Sequence, residues 1–216
     1  MNTTAHLATV LVGRPRPVAP LLGSEPVPTA IFKEPVSGPV QVGRTNLAGD
    51  AQADLENHGG PYKAVYAYAR EDLEFWAEQL GRPLPDGSVG ENLTTLGLDV
   101  TGALVGERWR IGTVLLEVVQ PRIPCFKLGI RVGDRHFPRR FGPAARPGAY
   151  LRVVAEGQLA AGDRVEVVHR PTHGVSVGLV AHAYFNDRSL AERVLSAPEL
   201  APSARASWER IAASNG

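Results

Sequence analysis

Short hydrophobic runs separated by glycine and proline dominate the first 170 residues. The runs at 6–12, 36–42, 64–68 and 113–119 are typical of strands, and a Ser-Gly-Pro turn interrupts the second. The run at 113–119 is apolar on both faces, which favours a closed barrel or a covered sheet over a sheet with one wet face. We therefore predict a β-rich fold for this part of the chain.

Residues 70–80 have a different pattern, that of a helix with one apolar face. Leu73, Trp76 and Leu80 recur at helical spacing, and acidic side chains occupy the first turn, where they complement the helix dipole. Gly81 follows the last turn, as glycine commonly does at the end of a helix. The segment is predicted to be the clearest helix in this part of the chain.

The pattern changes again after Pro171. Residues 176–184, 189–195 and 203–213 have the spacing of three short helices, and polar turns and prolines separate them. Helices this short are marginal alone and must dock on another surface. We therefore predict two domains, a β-rich domain at residues 1–170 and a small helical one at residues 171–216.

Composition and charge exclude several classes of protein. Of the 216 residues, 44% are hydrophobic, enough for a folded core and too many for a disordered chain. The 23 Lys and Arg residues nearly balance the 22 Asp and Glu residues, so no nucleic-acid partner is expected. Neither a membrane-spanning run nor a signal peptide is recognisable, and we expect a cytoplasmic protein without a membrane partner.

Cys125 is the sole cysteine, which excludes an intrachain disulfide and a zinc site made of several cysteines. It lies in the string QPRIPCFKLG, where Pro121 and Pro124 restrict the backbone. Arg122 and Lys127 place positive charge nearby, which favours the reactive thiolate. The alternative is that Cys125 is a small buried hydrophobic residue.

A second cluster, at residues 49–63, is rich in groups that bind anions. Gly59 and Gly60 allow the backbone to turn its N–H groups toward an anion, and His58 and Lys63 add donors suited to phosphate. The alternative is a glycine hairpin with solvated polar edges. A third cluster, at residues 87–95, contains Gly90-Glu91-Asn92-Leu93, for which the alternative is an ordinary capping turn.

Lysine is scarce, and its distribution favours the functional interpretation of two clusters. The lysines of the chain are Lys33, Lys63 and Lys127, and the last two lie in the second cluster and in the Cys125 string. An ammonium group and a guanidinium group are not interchangeable at a tight site. The chain also lacks the motifs that bind nicotinamide dinucleotides, nucleoside triphosphates or haem.

The strings GDAQADLENHGGPYKAVYAY, GENLTT and PRIPCFKLG, in this order, resemble the MOSC domain, the molybdenum-cofactor sulfurase C-terminal family. The segment after Pro171 resembles the three-helix extension of the branch that contains the bacterial hydroxylaminopurine-resistance protein. The resemblance covers nearly the whole chain. It implies a mainly β fold with α-helices: a MOSC-type β-barrel at residues 1–170 and a C-terminal three-helix extension at residues 171–216.

The resemblance also implies a cofactor and an activity. The cofactor is the molybdenum cofactor (molybdopterin), with the Cys125 thiolate as the protein ligand to the metal, and pyridoxal phosphate is not required. Members of the family reduce N-hydroxylated bases and related compounds. The residues expected to bind the cofactor are His58, Lys63, Asn92, Arg122 and Lys127, and the catalytic candidates are Cys125, His58 and Glu91.

Reduction of an N–OH group needs protons and two electrons. His58 and Glu91 are proton-donor candidates by residue type. Because the chain lacks a redox-cofactor motif of its own, a separate flavoprotein reductase is the expected electron donor. Two other functions stay open at this point, a sulfur carrier that uses a Cys125 persulfide and a metal-free ligand-binding barrel.

Overall fold

The structure, a computed structural model, describes residues 4–23, 25–53 and 59–215. Within these residues, no helix combines the length and apolar character needed to cross a bilayer. The strands are β1 (His6–Val12), β2 (Arg16–Val18), β3 (Val27–Thr29), β4 (Glu34–Pro35), β5 (Val40–Val42), β6 (Val65–Ala69), β7 (Leu93–Leu96), β8 (Arg108–Ile111), β9 (Val114–Pro121), β10 (Ala149–Ala155), β11 (Gly157–Leu159) and β12 (Val165–His169). The helices are α1 (Arg70–Leu80), α2 (Phe126–Val132), α3 (Phe137–Phe141), α4 (Val177–Phe185), α5 (Ala191–Leu195) and α6 (Pro202–Asn215), and short 3-10 turns span Pro61–Lys63 and Arg188–Leu190.

Eight strands form one sheet, in the order β12-β8-β9-β10-β6-β7-β1-β4. The sheet curls until β1 meets the segment that leads into β12. Leu7 donates its N–H to Asp163 O (2.9 Å) and accepts at its O from Gly162 N (2.8 Å), and Val165 N donates to Ala5 O (2.9 Å). These bonds close the sheet into a barrel, which confirms the predicted mainly β, barrel-like fold.

The predicted helix at residues 70–80 is confirmed as α1, and it connects the parallel strands β6 and β7. Parallel neighbours need such a crossover, because a tight hairpin cannot join them. Gly81 ends the helix with φ 64°, a left-handed conformation that favours glycine, and its N–H bonds to Ala77 O and Glu78 O.

A small aromatic cluster joins α1 to α2 and α3 outside the barrel. Trp76 of α1 stacks with Phe141 at 5.7 Å between ring centroids and meets Phe137 edge-on at 4.9 Å. The Trp76 indole also donates to the Tyr68 hydroxyl at 2.9 Å. This cluster anchors α2, which begins directly after Cys125, so the packing of α1 helps to position the segment that carries the thiol.

Helices occur in all three segments predicted after Pro171, as α4, α5 and α6. Backbone hydrogen bonds tie this tail to the barrel: Val105 N donates to Val175 O (3.0 Å), and Ala201 N donates to Val119 O (3.3 Å). Trp208 of α6 is buried in the same hydrophobic core as the barrel strands. The two predicted domains thus share one core, and the division at residue 170 stays a prediction.

Because of this shared core, we expect Trp208→Ala to destabilise the whole chain. Truncation of a buried tryptophan costs about 3–5 kcal/mol of unfolding free energy. Urea denaturation would be followed by far-ultraviolet circular dichroism and by the fluorescence of Trp76 and Trp109, which report on α1 and the barrel. Both signals should shift together to lower urea. A tail transition that separates from an unchanged barrel transition would contradict the shared core.

Candidate functional site

The three sequence clusters meet at one cleft of about 650 Å³, called the Cys125 cleft below. Five of the predicted site residues line it, which brings residues from distant parts of the chain together. His58 lies outside the described residues, and Glu91 lies behind the cleft wall. The predicted residues on the wall are Lys63, Asn92, Arg122, Cys125 and Lys127.

Positive charge dominates this cleft. All three lysines of the chain, Lys33, Lys63 and Lys127, line it together with Arg122. Among the described residues of the wall, only Asp50 carries a carboxylate. The cleft is therefore suited to an anionic ligand, because cations that converge on one space repel each other until an anion enters.

Asp50 holds three segments together on one side of the cleft. Its Oδ1 accepts from Gly13 N (2.7 Å) and Lys33 Nζ (2.5 Å), and its Oδ2 accepts from Asn92 Nδ2 (2.9 Å). The side chains of Lys33 and Asp50 are only 9% and 3% exposed. Burial lowers the pKa of Lys33, and the attraction of Asp50 opposes that shift.

Asn92 uses its side chain to join two strands, β1 and β6, that flank β7 in the sheet. Its Oδ1 accepts from Tyr66 N (3.1 Å), and its Nδ2 donates to Leu11 O (3.2 Å) as well as to Asp50. The amide thus connects β1 with β6 beneath the cleft. Asn92 lines the cleft, and its predicted contact with a cofactor stays a prediction.

Glu91 is fully buried and contacts its own loop. Its carboxylate accepts from Gly87 N (2.6 Å), Val89 N (3.1 Å) and Thr94 Oγ1 (3.1 Å). Burial raises the pKa of Glu91, and the backbone N–H groups oppose that shift. The carboxylate therefore fixes the loop at residues 87–91, and its role as a proton donor stays a prediction.

The loop at residues 87–91 requires glycine at position 90. The φ of Gly90 is +80°, and a Cβ atom there would lie 2.5 Å from Cγ1 of Ile31. A side chain would therefore be strained by the backbone conformation and would also collide with Ile31. The glycine lets the loop approach the segment around Ile31, and both line the Cys125 cleft.

Arg122 is nearly buried and is fixed from two sides. Its guanidinium donates to Val89 O and lies 5.0 Å from the centre of the Tyr66 ring. The Tyr66 hydroxyl in turn donates to Pro147 O at 2.8 Å. The guanidinium also interacts electrostatically with Cys125.

Cys125 lies between the end of β9 and the first turn of α2 and is half-buried. Leu128 and Val132 are buried on the inner face of α2 and anchor it. Leu128 N donates to Cys125 O at 3.0 Å, so the cysteine backbone is held at the start of the helix. A strand, a helix and the aromatic cluster thus position the thiol at the cleft.

Several residues of this wall are not predictable from the sequence clusters. Lys33 lies outside all three clusters, and only the scarcity of lysine draws attention to it. Asp50 belongs to the second cluster, but its residue type alone does not indicate a role. Tyr66 and Tyr150 carry no local signal, because β6 and β10 bring them to the cleft only when the sheet forms.

Comparison with known proteins supports the resemblance. A family model for the MOSC domain matches residues 54–166. The chain is 38% identical over 185 residues to the uncharacterized protein YflK of Bacillus subtilis strain 168, and the alignment covers 84% of each protein. It is 35% identical over 155 residues to a protein named Reductase from Gibberella moniliformis, and this alignment covers 69% of this chain and 27% of that protein.

The solved structures agree with these relatives. The crystal structure of YiiM from Geobacillus stearothermophilus aligns with a TM-score of 0.79 at 29% identity, covering 96% of this chain and 99% of that one. The similarity thus includes the helical tail as well as the barrel. The chain belongs to the MOSC domain family.

Proposed function

We propose that this chain is a molybdenum-cofactor-dependent reductase of N-hydroxylated compounds such as hydroxylaminopurines. The observation that carries the proposal is the location of the sole cysteine in a cleft that four cationic side chains line. Membership of the MOSC family suggests a role connected with the molybdenum cofactor. Similarity to a protein named Reductase supports oxidoreductase activity.

The residues of the Cys125 cleft fit the cofactor. A pyranopterin with its phosphate is an anion, and the described wall of the cleft offers it four cationic side chains and one thiol. The Cys125 thiolate would hold the metal, because a soft thiolate is a suitable ligand for it. Lys63, Arg122 and Lys127 would contact the anionic groups. When bound, the cofactor would supply the two-electron reduction of an N–OH group to an amine, with release of water.

The chain's own residues would orient the substrate and supply protons. Lys33 and Tyr150 place N–H and O–H groups on the cleft wall. Burial raises the pKa of Tyr150, so its hydroxyl is suited to donate a hydrogen bond rather than to release its proton. Glu91 already accepts two hydrogen bonds from its own loop and one from Thr94 of β7, and we propose that it positions the loop. His58 stays a candidate donor by residue type.

Cys125→Ser is the first test of the proposal. A hydroxyl is a poor ligand for a soft metal, and the change removes little volume from a half-buried position. Turnover should fall by more than about 100-fold, which exceeds the loss typical when a residue that contacts only a metal ligand is replaced. The free energy of unfolding should change by less than about 1 kcal/mol. Molybdenum content, turnover and urea denaturation would be measured on protein from a host that makes the cofactor. Wild-type molybdenum content and activity in this variant would contradict metal ligation by Cys125.

Lys63→Ala and Lys127→Ala should weaken cofactor retention more than stability. Loss of a charge-assisted hydrogen bond costs about 1.5–3 kcal/mol, which corresponds to roughly 10- to 100-fold in binding. A partly exposed cation contributes at most about 1 kcal/mol to folding. The matched control is Arg210→Ala, an exposed cation on α6. Pterin content after gel filtration would be compared, and retention equal to that of the control would argue against the anion site.

The electrons should come from a separate flavoprotein. Purified protein given NADH or NADPH and an N-hydroxylated base should show no turnover, because the chain lacks a dinucleotide-binding motif. Addition of a flavoprotein reductase or a chemical reductant should restore it. The assay is amine formation followed by chromatography. Turnover with a nicotinamide cofactor alone would mean that the chain accepts hydride directly.

A further inference from the structure

A second cleft, of about 680 Å³, lies between the end of β9 and the helices α4 and α6. It is called the tail cleft below. Gln120, Pro121 and Ile123 form its barrel side, and residues of the two helices form the other. The hydrogen bond from Ala201 N to Val119 O fixes α6 against β9 at this place. The barrel wall and the helical wall of the cleft are therefore held in a fixed position relative to each other.

The lining of the tail cleft differs sharply from that of the Cys125 cleft. The aromatic rings of Tyr184 and Trp208 meet at 81°, with 6.2 Å between centroids, and offer apolar surface. Gln120 and Ser207 supply neutral hydrogen-bonding groups. None of the described residues that line the tail cleft is charged. The ligand that suits it is neutral, with flat apolar faces and polar edges.

The two clefts share one stretch of backbone. Arg122 lines the Cys125 cleft, whereas its neighbours Pro121 and Ile123 line the tail cleft. Ile123 is 41% exposed and precedes Cys125 by two residues. Because consecutive Cα atoms lie about 3.8 Å apart, the Cα atoms of these two residues are within about 7.6 Å of each other. A molecule in the tail cleft thus touches the segment that carries the thiol.

We propose that the tail cleft binds the neutral, planar aromatic ring of the substrate. The inference rests on the proposed function, in which the cationic Cys125 cleft is taken by an anionic cofactor. An uncharged heteroaromatic ring gains nothing from that charge and is better held between apolar and aromatic side chains. The C-terminal helices would then supply one wall of the substrate site, which gives the tail a role in recognition.

The test uses adenine, a neutral planar ring without an N–OH group. Because it lacks this group, adenine can bind but is not a substrate for the proposed reduction. Binding would be measured by isothermal titration calorimetry on wild type, Ser207→Leu and Ser214→Leu. Ser207 lines the tail cleft, whereas Ser214 is exposed on the same helix, and each hydroxyl donates to a backbone carbonyl one turn earlier. The second serine controls for loss of the backbone bond and for the added leucine, whereas the contact of Ser207 Oγ with Arg210 Nη2 (3.0 Å) is lost only in Ser207→Leu, and Ile123→Trp provides the test that leaves this contact intact. Adenine should bind saturably to wild type and Ser214→Leu and at least 10-fold more weakly to Ser207→Leu.

Ile123→Trp provides a second obstruction from the opposite wall, at an exposed position where the larger side chain should be tolerated. It should weaken adenine binding as well, with an unchanged circular dichroism spectrum. Binding that neither variant weakens, or no saturable binding to wild type up to the solubility limit of adenine, would overturn the proposal. If the substrate ring binds elsewhere on the protein, neither variant will weaken adenine binding.

Kinetics separate this inference from the proposed function. With an N-hydroxylated purine, Ser207→Leu should raise KM at least 10-fold while kcat and molybdenum content stay near the wild-type values. An unchanged KM with normal turnover would overturn the tail cleft and leave the reductase intact. If wild type shows no turnover at all, the reductase proposal fails, and adenine binding still decides whether the tail cleft holds a neutral ring.

Discussion

The concentration of positive charge around one thiol is the constraint on which this site depends. Four cationic side chains line the Cys125 cleft, and its one described carboxylate, Asp50, is paired with Lys33. The cationic side chains of this wall repel each other, and together they favour an anionic occupant. A ligand that binds the folded state also adds to its stability by mass action. Under the proposed function, folding and cofactor binding would therefore be coupled through the same charges.

The barrel makes this arrangement possible because it brings separate motifs to one place and fixes them from behind. Asp50, Glu91 and Asn92 use their polar atoms to hold loops and strands. Asp50 and Asn92 also line the cleft together with Cys125 and the lysines, so only Glu91 has a purely supporting place behind the wall. Variants of these three residues should affect stability and binding together.

The features predictable from sequence are those with a local signal. Strand patterns, the 70–80 helix and the helical tail follow from periodicity, and the cluster residues follow from unusual combinations of glycine, cations and cysteine. The helices α2 and α3 were missed because seven and five residues are too few to show a helical period. Gly60 precedes a 3-10 turn at Pro61–Lys63, and the residues just before Gly59 lie outside the described part of the chain, so the hairpin alternative stays a prediction.

Other features depend on tertiary contacts and leave no pattern along the chain. Lys33 reaches the cleft because its segment packs beside Asp50, and Tyr150 reaches it because β10 pairs between β6 and β9. The tail cleft arises only when α4 and α6 dock on β9. Residue type and spacing therefore predicted the thiol and part of its charged surroundings, whereas the full wall required the fold.

Elemental and sulfur analysis of the wild-type protein would decide whether Cys125 holds molybdenum or a persulfide. The protein would be purified from a host that makes the molybdenum cofactor and analysed for molybdenum, pterin and cyanide-labile sulfur. We expect about one molybdenum and one pterin per chain, in keeping with a single thiolate ligand. Cyanide-labile sulfur on Cys125 without molybdenum or pterin would contradict this expectation and would identify a sulfur carrier instead.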